Sequence, residues 1–232
     1  MPLRKWIQSA NHAIEGILYA AKTQRHMRYH LYAAILVLVV GFVLGISWND
    51  FVVLIALAII VISVEMLNTA IEIITDILFK EYDQRAKVIK DTAAGAVLIT
   101  ALGAAIIGYV ILSGPLKTFF SSGLSVAQHS KPDIAIVALV VLLILVVILK
   151  AFHGKGEPLR GGLPSGHAAI AFSFWMSVTL ITESFLPSFL VLIMAVVIAQ
   201  SRVYVGIHRP VEVILGALLG ITVTFLLFKV FS

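Results

Sequence analysis

The chain has no cysteine, which excludes disulfide staples and thiolate metal sites together. It is also short of charge. Asp, Glu, Lys and Arg make up 12% of its 232 residues, about half the share usual in a soluble domain. Apolar residues take their place at 60%, and the mean hydropathy is +1.05. The predicted class is therefore an all-α, polytopic integral membrane protein. The formal net charge is +5, but the cations sit in short segments between apolar runs and form no basic stripe. That distribution argues against a nucleic-acid partner and reads as a set of membrane orientation signals.

Over residues 3–24, Leu3, Trp6, Ile7, Ala10, Ile14, Ile17, Leu18 and Ala21 share one helical face, opposite Arg4, Lys5, Gln8, Asn11, Glu15 and Lys22. This pattern predicts an amphipathic helix lying in the membrane interface. The first long apolar run begins only near Leu31, too far behind the basic start for a signal peptide, so the N-terminus is expected to be retained. About seven runs reach spanning length, near 30–47, 51–79, 91–113, 133–152, 166–183, 188–206 and 211–231. Between the third and fourth, the segment 113–131 carries Gly114-Pro115 and Ser121-Ser122-Gly123, with Pro132 behind it, and is predicted to be a polar linker. The expected organisation is a three-span domain at 1–113, a linker at 114–131 and a four-span domain at 132–232. Lysine and arginine concentrate in alternate loops, which predicts a cytoplasmic N-terminus and puts every loop with candidate chemistry on the cytoplasmic side.

Polar residues with chemical potential cluster twice. In the C-terminal part, Pro164-Ser165-Gly166-His167 places a serine N-cap, small residues and a histidine at a helix start, where backbone N–H groups can approach an anion. Further on, Ser201-Arg202 is followed by His208, Pro210 and Glu212. Arg202 can hold phosphate oxygens while His208 reaches the same centre, and Pro210 suits the first position of the last helix. Glu212, four residues after His208, is placed to accept an imidazole N–H and fix the tautomer. Arg209 reads as a headgroup anchor.

Lys150 with Pro158, the Pro164–His167 motif, and Ser201-Arg202 with His208 and an acid at 212 resemble the three signature motifs of the type 2 phosphatidic acid phosphatase superfamily, over roughly 133–231. The resemblance implies a metal-free phosphatase that works through a phosphohistidine. It makes His208 the nucleophile, His167 the general acid and Glu212 the orienting carboxylate. Lys150, Arg202 and the Ser165-Gly166 turn would bind phosphate. The chain has Glu157 before Pro158 where the family's first motif has arginine, and Lys155 and Arg160 are the nearby cations that can compensate.

The second cluster is Glu65, Asn68, Glu72 and Asp76, spaced by three or four on one helix face within an apolar run. Carboxylates inside a span are functional hypotheses by default. The string 65–72, with Asp76, Glu81 and residues 86–91, is similar to the small bacterial diacylglycerol and undecaprenol kinases, over roughly 5–113. That resemblance implies a homotrimer in the bacterial plasma membrane using Mg²⁺ and ATP. Glu65 would be the base, Glu72 a metal ligand, and Asn68, Asp76, Lys90 and Asp91 further kinase-site groups. The family's second metal-binding glutamate is replaced here by Gln24, a neutral oxygen donor.

The expected function is a fused enzyme of lipid phosphates. A phosphatase would act on a lipid monophosphate or diphosphate, such as phosphatidic acid or undecaprenyl diphosphate, beside an ATP-dependent lipid kinase. Gln24 keeps open an alternative, a phosphatase whose first half is a trimeric scaffold. A nonenzymatic lipid-binding or transport protein is the remoter reading.

Overall fold

The structure is a computed structural model that describes residues 2–121, 126–152 and 162–232, with side chains from Gln8 onward. The described residues form eight α-helices and no strand: α1 (Pro2–Thr23), α2 (Arg25–Val43), α3 (Trp48–Leu78), α4 (Gln84–Ser121), α5 (Lys131–Phe152), α6 (Gly166–Thr182), α7 (Phe185–Tyr204) and α8 (Pro210–Phe231). Six of them, α2 to α5 with α7 and α8, are long and apolar enough to cross a membrane. Large apolar side chains such as Ile99, Tyr109, Leu186 and Val211 are exposed along these helices, a surface that water would penalise and lipid would not. The protein is a polytopic, all-helical membrane protein.

The sequence reading differs from the structure at two places. α6, one of the seven expected spans, has only 17 residues and falls below the length of the other six. It packs against α5, α7 and α8, and its buried face is built of Ala168, Ala169, Ala171, Ser173 and Ser177. The segment after Ser113, expected to be linker throughout, stays helical to Ser121 with Pro115 inside α4. Proline forfeits one backbone hydrogen bond. The side chains nearby bond back to the main chain: Ser113 Oγ to Val110 O (3.3 Å) and Thr118 Oγ1 to Gly114 O (3.3 Å).

The chain divides into two compact units, one of residues 23–127 and the other of 1–22 with 128–232. In the first, α2 packs on α3 and α3 on α4. Met27, Leu31, Ala34, Leu38 and Phe42 bury one stripe of α2, while Phe51, Leu54 and Val61 are buried on α3. Ser47 starts α3 by accepting from the Asp50 N–H at 3.2 Å, an N-cap that satisfies one of the orphan donors of the first turn. Asp83 does the same for α4, accepting from Arg85 N at 2.7 Å. The Arg85 guanidinium bonded to it holds the Asp83 carboxyl down at about 2.

In the second unit α6 and α8 cross most closely, and the contact is backbone to backbone. A Cβ on Gly216 would lie 2.3 Å from Ser165 O, and one on Gly220 would lie 2.1 Å from Ala169 O. These glycines, four apart, let two helices approach within packing distances that no side chain allows. One turn further on, Ser173 Oγ and Thr224 Oγ1 share a buried hydrogen bond of 2.7 Å. Leu142 and Val146 of α5 complete the core against Ala169.

Candidate active sites

The start of α8 organises the first site. Glu212 occupies the third position of that helix, and its Oε2 reaches back to accept the Arg209 N–H at 3.3 Å. The same oxygen lies 2.8 Å from His208 Nδ1. Its Oε1 accepts from Gly162 N at 3.3 Å, and its backbone oxygen accepts from Ser165 N at 2.9 Å. One residue thus caps a helix, orients an imidazole and ties down the turn ahead of α6. The His208 side chain is 2% exposed.

The turn that delivers His208 is built on Arg202, whose carbonyl accepts from both Ile207 N (3.2 Å) and His208 N (3.1 Å). Between them Gly206 has φ +72°, in the left-handed region where a side chain is strained. No atom lies within 4 Å of a Cβ built there. Gly206→Ala is therefore expected to cost about 1–2 kcal/mol from the backbone alone, read as a lowered unfolding midpoint in detergent, with Gly206→Asn less affected.

His167 stands in the first turn of α6. Arg202, Lys150 and His208 are all near enough to act on it electrostatically, as Glu212 is on Lys150. Ser165 holds the N-cap position but makes no side-chain cap bond. Its Oγ and the Nε of Arg202 are buried without a hydrogen-bond partner among the described residues. Polar groups left so in a dry site are unfavourable by themselves and fit an oxygen-rich ligand. Lys155 and Arg160 lie outside the described residues. Lys22, read from sequence as part of the polar face of α1 and as an orientation signal, also acts on Lys150.

The second site lies on α3. Glu65 and Asn68 are buried, at 3% and 8% exposure. Glu72 accepts from Asn68 Nδ2 at 3.1 Å and from Gln24 Nε2 at 3.4 Å. Asp76, on the same face, is exposed and pairs with Lys90 at 2.5 Å. A helix of 31 residues runs about 46 Å, longer than a hydrocarbon core of about 30 Å, so one face passes from interior to surface. Asp91 is drawn away to Lys87 at 2.6 Å. The sequence reading missed His26 and His30, although their spacing of four on α2 puts them on one face. His30 Nε2 lies 3.8 Å from Glu65 Oε2, and His26 acts on both groups.

The donors around Glu72 suit a hard cation. Glu72, Asn68 and Gln24 offer carboxylate and amide oxygens, and Asn68 Oδ1 is buried without a partner. No preassembled group of three or more His, Asp or Glu exists among the described residues. A cation held here would take the rest of its shell from water and nucleotide phosphates.

A multi-span fold with a charged, histidine-bearing cluster at helix ends and a carboxylate buried in a span fits a class, the membrane enzymes that move phosphoryl groups on lipids. The chain belongs to two such families: residues 11–112 match the prokaryotic diacylglycerol kinase family and residues 97–232 match the PAP2 superfamily, the two matches overlapping at 97–112. An undecaprenol kinase of Bacillus subtilis is 38% identical over 109 residues, 47% of this chain and 89% of that protein. A diacylglycerol kinase of Synechocystis sp. is 36% identical over 124 residues, 50% of this chain and 71% of that protein. An undecaprenyl-diphosphatase of Sulfolobus acidocaldarius is 40% identical over 70 residues, 30% of this chain and 34% of that protein. No solved structure matches the chain.

Proposed function

We propose that this protein carries two opposed activities on membrane lipids, with a kinase-family module at 1–113, a junction at 114–131 and a phosphatase-family module at 132–232. The phosphatase acts on a lipid diphosphate or monophosphate such as undecaprenyl diphosphate or phosphatidic acid. The contact that carries this reading is His208 Nδ1 to Glu212 Oε2 at 2.8 Å. With Nδ1 engaged, Nε2 keeps the lone pair and attacks phosphorus. As the P–O bond to the leaving group breaks, His167 gives that oxygen a proton. Water then cleaves the phosphohistidine, with His167 taking the proton back. Arg202, Lys150, Ser165 and the Gly166 helix start hold the equatorial oxygens, joined by Lys155 or Arg160, and fixed cations stabilise the developing charge.

In the kinase module a lipid alcohol attacks the γ-phosphorus of ATP. Glu65 takes the hydroxyl proton, while Glu72, Asn68 and Gln24 would hold Mg²⁺, which would supply charge neutralisation to the nucleotide phosphates. Lys90, Asp76 and Asp91 border the nucleotide. α6 crosses as a seventh span, the N-terminus and both sites face the cytoplasm of a bacterial plasma membrane, and three chains assemble. Gln24 favours a second reading, in which the first module is a scaffold, because an amide at this position brings no charge to the cation.

Transfer of labelled γ-phosphate from Mg²⁺-ATP to undecaprenol or diacylglycerol decides between the two, using His208→Ala protein so that product survives. Labelled lipid that falls about 100-fold or more in Glu65→Ala establishes the kinase. A folded protein that transfers nothing leaves the scaffold reading.

A further inference from the structure

His30 is a polar group of the first unit that the reaction above leaves unused. It belongs to α2, and its Nε2 lies 3.8 Å from Glu65 Oε2, the two side chains being 20% and 4% exposed. The same imidazole lines an apolar cavity of about 400 Å³ between α2, α3 and α4, together with Ala58, Val61 and Ala105. Val61 is one turn before Glu65 on α3, so His30 borders both the cavity and the carboxylate. The charged groups acting on Glu65 are His26 and Glu72, and His26 acts on His30 as well.

A carboxylate this deep in a span must be oriented and paired if it is to act as a base. A separation of 3.8 Å is about 1 Å beyond a hydrogen bond, and catalytic contacts of this kind are often long before substrate closes the site. We infer that His30 is a positioning residue for the kinase base, its Nε2–H donating to Glu65 Oε2 so that Oε1 is presented to the lipid hydroxyl at the cavity's edge. The inference rests on the kinase reading of Glu65. In the step itself the hydroxyl oxygen bonds to the γ-phosphorus, the bond from that phosphorus to the bridging oxygen of ADP breaks, and the hydroxyl proton passes to Oε1. His30 makes and breaks no covalent bond.

Full-length protein carrying His208→Ala, assayed with undecaprenol and Mg²⁺-ATP, tests this. His30→Ala is expected to lower kcat about 10- to 100-fold, the usual loss for a displacement near 1 Å, with the KM for ATP unchanged. His30→Gln, which keeps a donor, should recover most of it. An unchanged kcat, or equal losses in both variants with a raised KM for ATP, overturns the inference while the kinase reading stands. A second measurement needs no turnover: the rate at which a membrane-permeant carbodiimide labels Glu65, which reacts when protonated, followed by mass spectrometry. Several-fold faster labelling in His30→Ala is expected. That result in a protein without kinase activity would retain the His30–Glu65 coupling and remove the kinase reading, whereas equal labelling rates reject the coupling.

Discussion

Replacing His208 by alanine is expected to reduce phosphate release from a lipid diphosphate by about 10⁴-fold or more, the scale seen when a covalent nucleophile is removed. Glu212 holds Nδ1 of this imidazole, which leaves Nε2 as the attacking nitrogen, and alanine removes both. Wild-type protein given substrate labelled in its terminal phosphate and quenched in alkaline detergent should carry alkali-stable, acid-labile label on His208, and the variant none. Retained release by a folded His208→Ala protein would sink the assignment. His167→Ala should behave differently, slowing substrates with poor leaving groups more than those with good ones.

The second large effect is structural. Gly220→Ala would set a methyl group 2.1 Å from Ala169 O and 3.0 Å from Ser173 N. Both are main-chain atoms of α6, unable to swing aside as a side-chain tip can. The helices must separate, which also stretches the Ser173–Thr224 hydrogen bond. The expected cost is about 3 kcal/mol or more, at the upper end for overpacking. Activity should suffer with it, because α6 carries His167 while the start of α8 fixes Glu212 and His208. Phosphatase assays alongside thermal unfolding in detergent would show both losses. A wild-type midpoint in Gly220→Ala would mean that α6 and α8 do not meet this closely. Transfer from ATP, which draws on α2 to α4, is expected to survive the substitution.

Much of the architecture could be read from apolar run lengths, because in lipid every main-chain polar group must be bonded within its own helix. Helix limits were less legible. α4 continues past Pro115 because proline removes only one bond from a helix that side-chain hydroxyls reinforce, and composition alone reads Gly114-Pro115 as a break. The Gly216–Gly220 contact was also available as a small-residue motif. Its significance depends on which helix lies opposite, and spacing within one helix does not say.

The families were legible from short motifs, and comparison with known proteins agrees with both. His30 was not, since a histidine on a helix face looks the same whether it packs in a core or meets a carboxylate 35 residues away. The sequence alone determined the solvent this protein lives in and its helical class, since these follow from composition and apolar run lengths, and its motifs marked the two families to which it belongs. Only the tertiary structure decided which groups meet. Glu212 serves His208 through a helix cap, and Asn68 and Gln24 converge on Glu72 while Asp76 turns outward, because such contacts depend on where helices start, cross and emerge.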